Sequence, residues 1–241
     1  KDIQLIIYYS WWNSKPSFFR DPVVVKEFVP GPGWSNFSQA YREPGEAIVS
    51  PSPRRYLIVE TRLLSSVSDT VASIRSISIS TQRPVASQLL AEISPKRDVP
   101  IGEPVDFDLF LRPTFPSFGA TDFDRLRIIA PSQAEMTLRS VDLGDEGDFT
   151  AATTESFVRD GATQFSNASG EVLFVNGDGT DTLLVELPTA VSSSSPDLVR
   201  LSFTTSVFQS GSTFRLEAAR SSRPDAWQAA DGGDAVGDEL S

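Results

Sequence analysis

The sequence predicts an all-β fold, an antiparallel β-sandwich preceded by an extended N-terminal arm. Three observations lead there. After about residue 55, apolar and polar residues alternate at period two in many short runs. Proline and glycine recur between those runs, as at Pro95, Pro100, Pro113, Pro116 and Pro131. No segment sustains a helical period bounded by caps.

Residues 1–50 read as the arm. The run from Ile3 to Trp12 is apolar and aromatic, and a second run, Phe18-Phe19 followed by Val23-Val24-Val25, comes after Pro16. Pro30-Gly31-Pro32-Gly33 then interrupts any regular structure. Such a segment has no core of its own. Its rings have three available fates: filling or covering the sandwich, contacting a partner protein, or lying at a membrane–water interface. The reading adopted is that Tyr8, Tyr9, Trp11, Trp12, Phe18 and Phe19 contact a partner subunit or the membrane interface.

Residues 51–220 read as the sandwich, in one body or two small ones. Val105-Asp106-Phe107-Asp108-Leu109-Phe110-Leu111 is its clearest strand, with Val105, Phe107, Leu109 and Leu111 on one face and Asp106 and Asp108 on the other. The further strand candidates are 56–63, 74–80, 87–93, 123–130, 135–142, 171–175, 181–187, 198–208 and 212–219. Expected inward positions also include Leu57, Val59, Ile77, Ile79, Leu126, Ile128, Leu173, Val175, Leu201 and Phe203. Between 171–175 and 182–187 stands Asn176-Gly177-Asp178-Gly179-Thr180-Asp181, whose glycines supply the positive φ of a tight hairpin. The segments 74–80, 123–129 and 198–204 align with one another, an alignment that shared strand periodicity is enough to produce. Residues 221–241 read as an acidic, Gly-rich tail that is ordered only where something ties it down.

The chemistry is bounded by what is missing. The chain has no histidine and no cysteine among 241 residues. That removes the usual general base, the usual zinc ligands, the thiol nucleophile and every disulfide. A Ser-His-Asp triad is impossible, no phosphate loop or dinucleotide fingerprint is present, and the four lysines stand in no S-x-x-K motif. Carboxylate pairs remain, with Asp106, Asp108, Asp122 and Asp124 as candidates by type. They read better as the wet face of a strand and its loop, so no enzyme and no cofactor are expected. The formal charge of −11 argues against nucleic acid and anionic lipid as direct partners. For calcium, the oxygen-rich turn offers Asn176, Asp178 and Asp181, and Asp142, Asp145, Glu146 and Asp148 form a second cluster. Turn chemistry and solvated charge account for both without a metal.

The stretch from about Leu89 to Ala235 resembles bacterial extracytoplasmic Ig-like or cohesin-like sandwich modules. The residues that carry the resemblance are Glu92-Ile93-Ser94-Pro95, Ile101-Gly102-Glu103-Pro104-Val105-Asp106-Phe107 and Asp197-Leu198-Val199-Arg200-Leu201-Ser202-Phe203-Thr204. It implies an Ig-like or jelly-roll sandwich that binds or scaffolds, and transfers no ligand residues. The function expected is a non-catalytic accessory or scaffold subunit of a larger bacterial, membrane-associated complex, whether respiratory, photosynthetic or of the envelope. The alternative is a stand-alone module for carbohydrate or another ligand, stabilised by calcium. An extracytoplasmic location is expected from the sandwich style, the missing cysteines and a start at Lys1 that reads as processed, with a signal or anchor segment encoded upstream.

Overall fold

The computed structural model describes residues 36–43, 45, 46, 48, 56–61, 73–81, 83–116, 121–131, 134–209 and 211–237. The chain divides into two units, Lys1–Ser50 and Pro51–Ser241. The described residues of the first unit carry neither strand nor helix. There the Glu46 carboxylate accepts the backbone N–H of Arg42 at 2.7 Å and that of Glu43, and Gly45 (φ +86°) turns the chain between them. Tyr8, Tyr9, Trp11, Trp12, Phe18 and Phe19 lie outside the described residues.

The described part of the second unit is almost wholly β. Its strands are β1 (Gln88–Ser94), β2 (Pro104–Thr114), β3 (Asp122–Ile129), β4 (Thr137–Gly144), β5 (Glu155–Arg159), β6 (Gln164–Ser166), β7 (Val172–Asn176), β8 (Thr182–Ser192), β9 (Leu198–Ser206), β10 (Arg215–Arg220), β11 (Arg223–Ala229) and β12 (Asp231–Gly232). One short helix, α1 (Glu146–Ala151), follows β4. All twelve strands join one sheet, ordered β11-β10-β3-β8-β7-β6-β5-β4-β9-β2-β1-β12, which curls until it is nearly closed into a barrel. The sheet is mixed rather than purely antiparallel, because β12 runs parallel to β1 while the other ladders are antiparallel.

Two devices bring the ends of the sheet together. A single residue, Ala230, joins β11 at one end to β12 at the other. The buried Gln228 side chain of β11 then accepts the backbone N–H groups of Val85 (2.9 Å) and Ala86 (3.2 Å) and donates to the Ala86 carbonyl at 3.0 Å. A side-chain amide thus stands in for a missing strand pairing and keeps buried backbone groups satisfied.

The core fills the space inside the curl. Phe107, Leu109 and Leu111 of β2, Leu126 and Ile128 of β3, Leu173 and Val175 of β7, and Leu201 and Phe203 of β9 are all buried there, as the alternation requires. Val105 is half-buried against them. Phe107 lies 5.9 Å from Phe203 and 5.5 Å from Phe214, and Phe203 lies 5.6 Å from Phe214, so three rings from β2, β9 and the approach to β10 form one cluster. The hairpin is β7–β8, with Gly177 and Gly179 at φ +81° and +79°. At Gly177 a Cβ would stand 2.0 Å from the Thr182 carbonyl oxygen, so no side chain fits.

Four expected core positions are corrected. Residues 56–61 and 73–81 carry no strand, and Leu57, Val59, Ile77 and Ile79 are exposed. Alternation makes a half-buried strand possible only where a sheet edge offers pairing. Here β12 takes the outer edge of β1, and Gln228 seals the gap to β11. Of the three aligned segments, 123–129 falls in β3 between β10 and β8, and 198–204 falls in β9 between β4 and β2, while 74–80 stands outside the sheet. Residues 221–237, expected to trail as a tail, supply β11 and β12. Strands β5 and β6 and the helix also emerge, each too short to reveal a period.

Candidate functional site

The outer faces of β2, β9, β4 and β5 form a shallow groove of about 470 Å³ lined by Asp106, Asp108, Arg139, Arg200, Ser202 and Val158 among others. Period two explains most of this lining. With Phe107 and Leu109 pointing inward, Asp106 and Asp108 point out, opposite Thr204 and Ser202 of β9. Arg139 reaches the same face through an irregularity: the β4–β9 register shifts between Leu138 and Ser140, leaving Arg139 as the extra residue.

These side chains are bonded to one another across strands. The Thr204 hydroxyl donates to Asp106 at 2.6 Å, and Arg139 donates to the other oxygen of the same carboxylate. The Ser202 hydroxyl donates to Asp108. Asp142, only 2% exposed, accepts Arg200 Nε and Nη2 at 3.0 and 2.9 Å, the Ser140 hydroxyl at 3.1 Å and the Ser156 hydroxyl. The Arg200 guanidinium also lies 5.2 Å from the Phe149 ring of α1.

On the opposite side, β8, β3, β10 and β11 carry a second lattice. Arg125 pairs with Glu186 at 3.3 Å, and Arg127 and Arg215 both engage the buried Glu217. Trp227 of β11 lies under two of these guanidinium groups, 4.2 Å from Arg127 and 5.5 Å from Arg125.

The protonation states follow from the bonding. The Thr204 hydroxyl, with Arg139 beside it, holds the Asp106 carboxyl below its ordinary range. Glu146 is lowered first by Arg112, and Asp148 first by the Asp145 backbone N–H. For Glu92, burial pushes upward, but Lys96 and the backbone N–H groups of Val236 and Ala235 outweigh it and the net direction is down. Depressed carboxylates stabilise the fold above their unfolded pKa, and that stability is lost as pH falls through the folded values. The melting temperature is therefore expected to fall steeply below about pH 4. With no histidine in the chain, it is expected to hold nearly level between about pH 5.5 and 8. A scan of thermal unfolding against pH checks this, and a sharp step near neutrality would contradict it.

Of the carboxylates considered by type, Asp106 and Asp108 share the groove, Asp124 accepts the backbone N–H of Ser221 at 2.6 Å, and Asp122 pairs with Arg220 at 2.6 Å. Two of the three calcium candidates in the turn, Asp178 and Asp181, are also engaged within the protein. One oxygen of Asp178 accepts the Leu138 N–H at 2.9 Å and the other accepts Arg159 at 2.7 Å, while Asp181 accepts the Thr182 hydroxyl at 3.1 Å. Asn176 sits in the exposed end of β7. In the second cluster, Asp142 is committed to Arg200, Glu146 pairs with Arg112 at 2.7 Å, and Asp148 accepts the Asp145 backbone N–H at 2.9 Å. Among the described residues no group of three or more acidic side chains is arranged to hold a metal ion.

No site role follows from the sequence for Arg139, Arg200, Ser202 or Val158. The alternation of 198–204 does place Arg200 and Ser202 on the outer face, but nothing in the sequence marks the irregularity that delivers Arg139. Compared with known proteins, the chain matches no family model, no curated protein and no solved structure.

Proposed function

We propose that this chain is a non-catalytic accessory or scaffold subunit of a larger bacterial, membrane-associated assembly on the extracytoplasmic side. One observation carries the reading: on both outer faces of the sheet the charged side chains are paired with each other across strands. Such a surface is rigid and pre-satisfied. It suits holding a shape more than turning over a substrate. The downward direction at Asp106 supports the same view, since a general acid in glycoside hydrolysis needs a raised pKa.

On this reading the curled sheet is a sandwich of Ig-like or jelly-roll type, akin to cohesin-like modules. The supporting feature is that the Phe214 ring, on the approach to β10, packs at a tilt against Phe107 of β2 and Phe203 of β9, two strands far from β10 in the sheet order. Attachment falls to the arm, through Tyr8, Tyr9, Trp11, Trp12, Phe18 and Phe19. The second reading, a stand-alone binding module for carbohydrate or another polar ligand, is favoured by the groove over β2, β9, β4 and β5.

Native purification followed by identification of what travels with the chain separates the two. Company in fixed stoichiometry is expected, and it should be lost on deletion of residues 1–20, with circular dichroism unchanged. A chain that purifies alone and binds glycans through the groove would overturn the scaffold reading. Full-stoichiometry co-purification of the deleted form would move the attachment site elsewhere.

A further inference from the structure

A strip of outer sheet face beside β1 is covered by the chain's own residues 231–237. At its centre stands Glu92, whose side chain is 1% exposed. Its Oε2 accepts the backbone N–H of Ala235 at 2.7 Å and that of Val236 at 3.1 Å, and its Oε1 takes the Lys96 ammonium. Glu146 of α1 accepts the Gly237 N–H at 2.6 Å with one oxygen and Arg112 at 2.7 Å with the other. The Gly233 N–H donates to the Ala91 carbonyl at 3.0 Å. Between these anchors, Ala235 and Val236 are buried against Phe110 and Leu198, flanked by Leu90 and Phe149. The two carboxylates that fix this strap both take its main-chain N–H groups, at Ala235, Val236 and Gly237. The groove therefore recognises an extended backbone that carries two small apolar side chains.

We propose that this groove is an acceptor for strap exchange, in which residues 231–237 of a second copy take the place of the chain's own and reciprocal exchange gives a two-fold dimer. The occupant is defined by what already fits, since each copy carries the matching segment. The strap can leave alone, because only Ala230 joins it to β11 and its own ladder has just two residue pairs, in the weaker parallel mode. Once vacated, the groove cannot stay empty cheaply. Phe110 and Leu198 would face water, and a deeply seated carboxylate would lose two of its donors. The closed form benefits from an effective concentration in the millimolar range, so exchange should grow as protein concentration approaches it.

The chain has no cysteine, which makes disulfide trapping clean. Ala91 and Gly232 stand opposite each other in the β1–β12 ladder, so cysteines at these two positions are within bridging reach. Full-length Ala91→Cys and Gly232→Cys variants are mixed at about 1 mM and oxidised. Exchange predicts a covalent heterodimer at least about tenfold above the dimer formed by either variant alone, and in unmodified protein a dimer by light scattering that dissociates on dilution. A mixture no richer in covalent dimer than its single-variant controls would overturn the proposal. Should either variant fold poorly, light scattering of the unmodified protein at the same concentration decides: a dimer that dissociates on dilution supports exchange, and a monomer refutes it.

Discussion

Phe107→Ala is expected to lower the free energy of unfolding by about 3–5 kcal/mol. The ring is buried, and it touches both Phe203 and Phe214. Removing it deletes the apolar area of a large side chain. It also leaves a cavity that strands held by ladders on both sides cannot close, because β2 lies between β1 and β9. The neighbouring change Asp108→Ala should cost no more than about 1 kcal/mol, since it removes one bond to the Ser202 hydroxyl on the wet face. Urea unfolding of the two variants side by side is the measurement. Equal midpoints would mean that the inward face of β2 has been assigned wrongly.

Asp142→Ala should be the most damaging single change outside the apolar core, on the order of 3 kcal/mol. Its carboxylate is buried and serves Arg200, Ser140 and Ser156 at once, so truncation leaves the partly buried guanidinium without its counter-charge and removes the bonds of two hydroxyls. Replacing both Asp142 and Arg200 with leucine should recover a good part of the loss, because desolvating the pair offsets much of its attraction. The exposed Arg139–Asp106 pair is the control, where truncation of Arg139 should cost at most about 1 kcal/mol. Chemical denaturation of the single and double variants gives the coupling energy. An Asp142→Ala penalty as small as that of the exposed pair would show that burial has not made this contact special.

The strand content was legible where the alternation was long and clean. Val105 to Leu111, the β7–β8 hairpin and Leu198 to Thr204 could be placed with their faces, because side chains on a strand have no choice but to alternate. The same rule misled at Leu57, Val59, Ile77 and Ile79. Local pattern reports what a segment could do in a sheet, and carries no information about whether an edge is open to it. The groove was half legible. Asp106, Asp108, Arg200 and Ser202 follow from period two, whereas Arg139 depends on a one-residue register shift against β9.

By itself the sequence determined the all-β class, the inward faces of the long strands, the tight β7–β8 turn, and the chemistry closed to a chain without histidine or cysteine. Those are consequences of local geometry and residue type. Only the tertiary structure decided that the sheet is continuous and nearly closed, that Gln228 fastens its ends, and that the acidic segment after residue 220 is part of the sheet. Residues 231–237 are small, glycine-rich and acidic, and alone they bury too little to offset the entropy of ordering. What orders them is a carboxylate at position 92 and two rings at 110 and 149, brought beside them by two strands and a helix more than 80 residues away in the chain.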